Sequence, residues 1–492
     1  MEHIAKYDRT DPKAIEAYAK RLIGLTFRDI INLCATDIDE QQEMIEKYAG
    51  KARKGGFGNF IEEAYFGYKA NSDQNADFKE AGVELKVSPY EKNRNGELRA
   101  GERLVITMIS YSEPFEEDFY KSHVWEKIRQ ILLIYYFRNK AVNDNLIYKI
   151  SFVNLFSPPR ADLLIIQQDY EIIKGKIIKG CAHELSESDT MYLGACTKGS
   201  TAASSIVPQY YNKDVPARKR AFCFKTSYMT YVLNHYIVCH GIETESLIKE
   251  PASLAEKTFE EILYETVNQY VGRSDRELCE YFGYPYNNNK AQWATLSYRI
   301  LGIKSNRAAE FEKANISVRA VRIESDGRMK ENMSFAPFEF KKLAQEEFED
   351  SELYRYFYET RLFFVVWKKD KDVYRVAGSQ LWNMPYQDLE RTVRDGWKQV
   401  QRVIKYGVKF RQVKTAKGYI VYNNLPKKND NEIIHIRPHA DKAAYRFADG
   451  TEYGNVARDA NELPNGEYMT TQSFWINNSY IIRQLNCLNK RD

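Results

Sequence analysis

The chain echoes itself once, and that echo limits its architecture more than any other feature of the sequence. Tyr65-Phe66-Gly67-Tyr68 recurs as Tyr281-Phe282-Gly283-Tyr284, ADFKEAGVELKV (76–87) lies over AEFEKANISVRA (309–320), and WEKIRQILLIYYFR (125–138) is answered by FYETRLFFVVWKK (357–369). Three matches in one order at similar spacing are the mark of internal duplication, and a repeat of this length means two copies of a domain, not a solenoid of short units. The 492 residues fit this, because a single core stops growing at about 250–300 residues. A polar, Glu-rich stretch around Pro251 is the expected boundary, giving a first domain over 1–240, a linker over 241–258 and a second domain over 259–492.

Hydrophobic periodicity gives each half both kinds of element. Ile15, Tyr18, Ala19, Leu22 and Ile23 predict a helix within 12–33, and a second helix is expected over 38–48. GVELKVS (82–88) alternates as a half-buried strand does, and after the turn-rich KNRNGELRAG comes LVITMISY, expected to pair with it as a hairpin. A helix over 117–129 and buried strands at ILLIYYF and IYKISFVNLF follow. The expected fold is mixed α/β, two tandem domains each built on a mixed β-sheet flanked by helices. Hydrophobic residues at 43% supply both cores, while the net charge of +4 means that any surface for a polyanion must be local. The seven cysteines never form C-x-x-C, and neither Cys181 with His183 nor Cys239 beside His240 extends to a four-ligand zinc set, so reduced thiols are expected. The N-terminus lacks the apolar stretch of a signal peptide and no apolar run reaches about 18 residues, which predicts a cytoplasmic protein with no membrane partner.

Phosphodiester cleavage needs an anionic pocket for a divalent cation, a group that assists the attacking water, and positive charge for the transition state. Asp77 followed by Glu84-Leu85-Lys86 offers all three. Strand alternation puts Glu84 and Lys86 on one face with Leu85 packed behind, and Asp77 can close on the same ion from the neighbouring segment. Oxygen ligands of this kind suit Mg2+ with several retained waters, and Lys86 can orient a metal-bound water or meet the scissile phosphate. Spacing alone favours a solvated polar strand edge; the setting beside Gly-rich turns and an acidic helix, Ile61-Glu62-Glu63, shifts the reading towards chemistry. On local evidence Glu63 is either a further ligand or an exposed helix residue.

GNFIEEAYFGY, ADFKEAGVELKVSP and SHVWEKIRQILL together resemble the MutH mismatch-repair nicking endonucleases, whose blocks read E-x-x-x-G, D-F-x-x-x-G-V-E-L-K-x-x-P and S-H-V-x-x-K. They resemble more closely the duplicated MutH-type restriction endonucleases that cut at GATC. The resemblance covers about 50–235 and, more faintly, 275 to the C-terminus. It implies two restriction-endonuclease-like domains, with Asp77 and Glu84 holding the metal, Glu63 supporting it, Lys86 as the catalytic lysine and Lys127 as a second active-site lysine. Tyr192 to Lys198 occupies the place of the family's Y-L-x-I-R-P-K segment, which approaches DNA; only its ends survive, so Lys198 is an implied DNA contact while Cys196 departs from the family arginine. Lys225, after Ala221-Phe222-Cys223-Phe224, falls in another segment implied to lie near the duplex, and Arg218, Lys219 and Arg220 precede it as a basic run.

The second copy replaces the chemical groups one by one. Glu310 stands where Asp77 does, Ser317 for Glu84, Arg319 for Lys86 and Cys279 for Glu63, a set that cannot hold a metal in the same way and reads as a catalytically inactive DNA-binding or regulatory domain. It retains Ile436-Arg437-Pro438, so Arg437 is either a DNA contact or a buried structural arginine, while Pro438 between His435 and His439 argues against a metal there. The implied function is a Mg2+-dependent type II site-specific deoxyribonuclease that hydrolyses double-stranded DNA at GATC, leaves 5′-phosphate ends, and is a monomer in free solution, with dimerising or looping on DNA left open. Two tandem domains can read both halves of a palindrome from one chain. The competing readings are a mismatch-repair GATC nickase, which one copy would suffice to make, and a non-catalytic DNA-binding protein, which the intact Asp77, Glu84 and Lys86 disfavour. The chain has no G-x-x-x-x-G-K-[ST] loop for an ATP-driven motor.

Overall fold

Glycine and capping residues break the opening helical layer where periodicity alone predicted continuity. The computed structural model describes residues 7–48, 56–68, 75–93, 96–115, 118–139, 141–199, 205–238, 245–415 and 418–486. Helix α1 (Pro12–Ala19) starts on an Asp11 side-chain cap, the chain reverses at Gly24 with φ +90°, and α2 (Phe27–Cys34) restarts on a capping box in which Thr26 and Asp29 satisfy each other's backbone N–H. Helix α3 (Ile38–Tyr48) falls where expected, and α4 (Gly56–Phe60) runs into a π-helical turn at Ile61–Tyr65.

By its contacts the chain divides into two units, Met1–Phe259 with Arg307–Asn315, and Glu260–Asn306 with Ile316–Asp492. In the first, β1 (Glu84–Lys92) lies between β2 (Leu98–Ala100), antiparallel, and β4 (Ile131–Phe137), parallel, with β5 (Ile150–Phe156) antiparallel beyond. The expected hairpin between GVELKVS and LVITMISY does not form. Strand β3 (Leu104–Met108) instead joins a second sheet, β3-β9-β6, with β6 (Leu193–Thr197) and β9 (Arg220–Phe224); β7 (Ile206–Val207) and β8 (Ala217–Arg218) pair only with each other. The reason is burial. Strand β4 is buried on both faces from Ile131 to Tyr136, so it belongs in a sheet interior and takes the place beside β1. One face of this sheet packs Leu85, Leu132 and Ile134 against Ile15, Leu22, Phe27, Phe60 and Phe66 of the helical layer. The expected helix over 117–129 shortens to α5 (His123–Ile128), capped by Ser122; α6 (Arg160–Ile178) and α7 (Thr226–Tyr231) complete the main helices of this part.

The second unit contains α8 (Phe259–Asn268, from Glu260 onward), α9 (Asp275–Tyr281) and α10 (Ala291–Ile300). Strand β10 (Ile316–Ile323) pairs in parallel with β12 (Arg361–Asp370), which pairs antiparallel with β13 (Val373–Trp382); β11 (Met333–Phe338) and β16 (Ile434–Pro438) flank β21 (Gln472–Ile476), both antiparallel. This is the connectivity of β1-β4-β5 and of β3-β9-β6 over again. Additional to it are a ribbon, β14 (Phe410–Thr415) with β15 (Gly418–Asn423), and a small sheet of β17 (Tyr445–Arg446), β18 (Glu452–Tyr453), β19 (Ala460–Glu462) and β20 (Tyr468–Thr470). A single core runs from Val321 and Phe364 through Trp397 to Ile481.

Of the expected linker, 241–244 lie outside the described residues, and the remainder packs into the first unit. Leu247, Ile248 and Leu254 are buried, and the Gln168 amide donates to Leu254 O at 2.9 Å and Lys257 O at 3.0 Å. Helix α11 (Ala309–Ala314), inside the expected second domain, packs there too: Ala309 N–H donates to Glu245 O and Lys313 Nζ to Asp162 Oδ1 at 2.6 Å. Cys34, Cys181, Cys196, Cys223 and Cys279 are free thiols, whereas Cys239 and His240 lie outside the described residues. No helix among the described residues is long and apolar enough to cross a membrane.

Candidate active site

A tight antiparallel bridge makes the spacing between Asp77 and Glu84 meaningful. Phe78 N–H donates to Val83 O at 2.9 Å and Val83 N–H to Phe78 O at 3.3 Å, with Gly82 at φ +64° turning the chain between them. The residues outside that bridge, Asp77 and Glu84, therefore come side by side. Asp77 Oδ2 accepts from Leu85 N–H at 2.8 Å, which fastens the carboxylate to the first turn of β1.

Glu84 opens β1 and is 1% exposed. Its Oε1 accepts from Lys86 Nζ at 2.6 Å and from Lys127 Nζ at 3.1 Å, and its Oε2 from Lys127 Nζ at 3.3 Å. Glu84 and Lys86 share one face by alternation, while Leu85 points into the core on the other. Lys127 arrives because α5 leads directly into β4, whose Ile131 is in register with Glu84. The structure thus brings Asp77, Glu84, Lys86 and Lys127 together. Lys127 is buried, and the Glu84 carboxylate is its ion-pair partner there.

Glu63 goes elsewhere: its Oε2 accepts from Lys47 Nζ and Tyr48 Oη, both at 3.2 Å. Its neighbour Glu62 is the acid coupled to the cluster. Burial, then the charges of Asp77 and Glu84, push the Glu62 carboxyl up to about 7, with Lys86 opposing. Asp77 is also raised, first by burial and then by Glu84, against Lys86. Glu62 thus holds its proton more tightly than an ordinary carboxyl. The sequence signal was the adjacent pair of acids; what sequence could not show is the π turn, in which Phe66 N–H reaches back to Ile61 O and changes which residue faces the sheet.

The donor set suits a hard divalent ion. Burial and neighbouring carboxylates raise Glu62 and Asp77, which a cation would relieve, and Mg2+ is commonly held by one or two carboxylates with waters and substrate phosphate supplying the rest. Among the described residues no three His, Cys, Asp or Glu side chains are grouped so as to hold a metal ion by themselves.

The implied DNA contacts separate by exposure. Lys198 follows β6, half-buried, with its backbone N–H on Lys219 O at 2.8 Å. Cys196 is fully buried beside Cys223. Lys225 is 5% exposed, and its ammonium donates to Thr190 O, next to the fully buried Asp169. Arg437 is exposed, 5.4 Å over the Trp475 ring, which removes the buried structural alternative.

The equivalent positions of the second copy make other contacts. Glu310 accepts from Ser246 Oγ at 2.6 Å and Leu247 N–H at 2.9 Å, Arg319 donates to Tyr356 Oη at 3.3 Å, and Cys279 is buried.

Comparison with known proteins agrees with this geometry. Residues 66–169, which contain Asp77, Glu84, Lys86 and Lys127, match the family described as DNA mismatch repair enzyme MutH. The chain is 37% identical over 452 residues to the type II restriction enzyme Sau3AI of Staphylococcus aureus, a match spanning 86% of this chain and 91% of that one. With a mixed α/β, restriction-endonuclease-like fold and relatedness over nearly its whole length, the chain belongs to the MutH-like family of type II restriction endonucleases.

Proposed function

We propose that this restriction endonuclease hydrolyses double-stranded DNA at GATC with Mg2+ held by Asp77 and Glu84, leaving 5′-phosphate ends. The observation that carries the reading is the meeting of Asp77, Glu84, Lys86 and Lys127 at the start of β1. When bound, the cation polarises the scissile phosphate and lowers the pKa of a coordinated water. The chain's own groups do the remainder. Asp77 stays oriented by Leu85 N–H; Lys86, the more exposed of the two lysines, is placed to meet a phosphate oxygen or hold the attacking water; Lys127 neutralises Glu84 from the buried side. Glu62 takes the supporting place that the sequence assigned to Glu63, and its adjacency to the two ligands supports this.

In this reading the domain over 1–240 is catalytic, while 259–492, lacking a carboxylate pair at Ser317 and Arg319, binds DNA or regulates cleavage, with Arg437 and Lys198 as contacts. The protein acts in the cytoplasm, where incoming DNA is met, and is monomeric until DNA brings two molecules or two sites together. The test is digestion of a sequenced plasmid by purified protein with and without Mg2+, with the ends mapped. Cuts confined to GATC, dependent on Mg2+ and reduced at least about a thousandfold by Asp77→Ala, are expected. Digestion by Asp77→Ala at the normal rate would refute the site, and cuts at another sequence would refute the specificity.

A further inference from the structure

Residues 405–428 hold Lys405, Lys409, Arg411, Lys414, Lys417, Lys427 and Lys428 without a single Asp or Glu, in a chain whose acids, 68, nearly balance its 72 bases. The same stretch carries the ribbon β14–β15, whose strands, among the described residues, pair only with each other. Phe410 anchors its base by edge contacts to Tyr445 and Phe447, centroids 5.8 and 5.4 Å away. Farther out, the register sets Arg411 opposite Tyr422, with the guanidinium 4.8 Å from the ring, and Val413 opposite Ile420. Tyr422 and Ile420 are both nearly half exposed. A lone ribbon that shows aromatic and apolar groups to water is marginal by itself, so an occupant that covers it adds stability. The one-signed charge says that the occupant is a polyanion.

At the foot of the ribbon lies a groove lined by Tyr422, Asn423, Lys427, Lys428, His435 and Arg437. The partners that Lys428 and Arg437 have are neutral, Asn478 Oδ1 at 2.6 Å and the Trp475 ring. His435 distinguishes a nucleic acid from a bare anion. Asn477 donates its amide N–H to Asn431 O at 2.8 Å, which turns Asn477 Oδ1 towards His435 Nδ1 at 2.6 Å. Nδ1 must therefore carry the proton, and Nε2 is a bare acceptor. That atom is buried without a partner in a residue 5% exposed. Burial, with the Arg437 and Lys428 charges adding to it and the Asn477 hydrogen bond opposing, pulls the ring down to about 4, so it is neutral at physiological pH. A phosphate oxygen cannot satisfy an acceptor, whereas the exocyclic amino group of a base can.

We propose that the second unit grips duplex DNA with the ribbon Phe410–Asn423 and the groove at its foot, Lys427, Lys428 and Arg437 meeting phosphates and His435 Nε2 accepting from a base amino group. This rests on the reading of that unit as DNA-binding and names the surface responsible. A two-stranded ribbon is an element that duplex grooves admit.

The test uses the full chain in EDTA, so that DNA stays uncut, with labelled GATC and scrambled duplexes titrated at several salt concentrations, and with photo-cross-links mapped by mass spectrometry. Arg411→Ala with Lys414→Ala is expected to weaken binding about tenfold and to lower the salt slope by about two. His435→Phe, and His435→Asn as a polar control for folding, is expected to cut the preference for GATC about fivefold at an unchanged slope. Cross-links should fall within 405–438. If the second unit yields none at all, its reading as DNA-binding falls. If it cross-links elsewhere and the double variant keeps wild-type affinity and slope, that reading stands and the ribbon assignment is overturned. Unchanged GATC preference in both His435 variants overturns the base contact.

Discussion

At the scale of single residues, the site works because like charges are crowded and then compensated. Glu84 is shared by Lys86 and Lys127, and Glu62, desolvated beside Asp77 and Glu84, keeps its proton to about pH 7 against an ordinary value of 4.5. From about pH 4.5 to about pH 7 the unfolded chain has released a proton that the native protein retains. The native state therefore binds more protons, and metal-free stability falls as pH rises through this window. In EDTA the Tm of the wild type should drop relative to Glu62→Gln between about pH 5 and about pH 7.5; parallel curves would show that Glu62 is not held in this way. Lys225 supplies the opposite case, a lysine that sequence placed near DNA and that is buried. Lys225→Met leaves Thr190 O and Asp169 without their cation and should cost about 2–4 kcal/mol of stability while the salt slope of DNA binding stays as it was. A slope smaller by about one with normal unfolding would mean that Lys225 does reach a phosphate.

At the scale of elements, the catalytic spacing is a consequence of one turn. Between Asp77 and Glu84 the chain has room for a single bridge, Phe78 with Val83, and the reversal depends on the positive φ of Gly82. A Cβ at that position would meet Arg129 Nη2 at 2.2 Å and its Cζ at 2.8 Å. The arginine can swing aside, but the backbone strain remains, so Gly82→Ala should lower stability by about 1 kcal/mol and cleavage by more than that loss explains, because Asp77 shifts relative to Glu84. Thermal unfolding beside single-turnover rates separates the two, and a rate that merely tracks the folded fraction would count against this view. The same turn explains what was legible in the sequence. GVELKVS, α3 and the buried strands could be read because local alternation and helical spacing fix them. The partner of β1 could not, since parallel pairing with β4 depends on a connection of some forty residues and on burial of both faces of β4, neither of which leaves a local trace. Likewise Glu62 and Glu63 differ by one position, and only the π turn decides between them.

At the scale of the whole molecule, two units share one strand connectivity and only one carries a carboxylate pair. In the first, Asp77 and Glu84 flank a bridge and face two lysines. In the second, the strand equivalent to β1 presents Ser317 and Arg319, while Glu310, which by its contacts belongs to the first unit, accepts from Ser246 Oγ and Leu247 N–H. Arg319 cannot be induced to hold a metal by any movement of the chain, because its charge has the wrong sign. With the second unit inactive, as proposed, one chain has chemistry for one strand at a time, whatever that unit contributes to affinity. On a supercoiled plasmid with a single site, at enzyme below DNA concentration, a nicked circle should accumulate before the linear form appears, and a second site on the same molecule should shorten its lifetime if two chains assemble on DNA. Mixing an excess of the Asp77→Ala chain with the wild type should then prolong the nicked stage, since an inactive partner occupies the second strand without cutting it. Conversion of supercoiled to linear DNA with no nicked stage, under conditions where the protein remains a monomer, would require a second catalytic centre and would contradict the assignment of 259–492 as inactive.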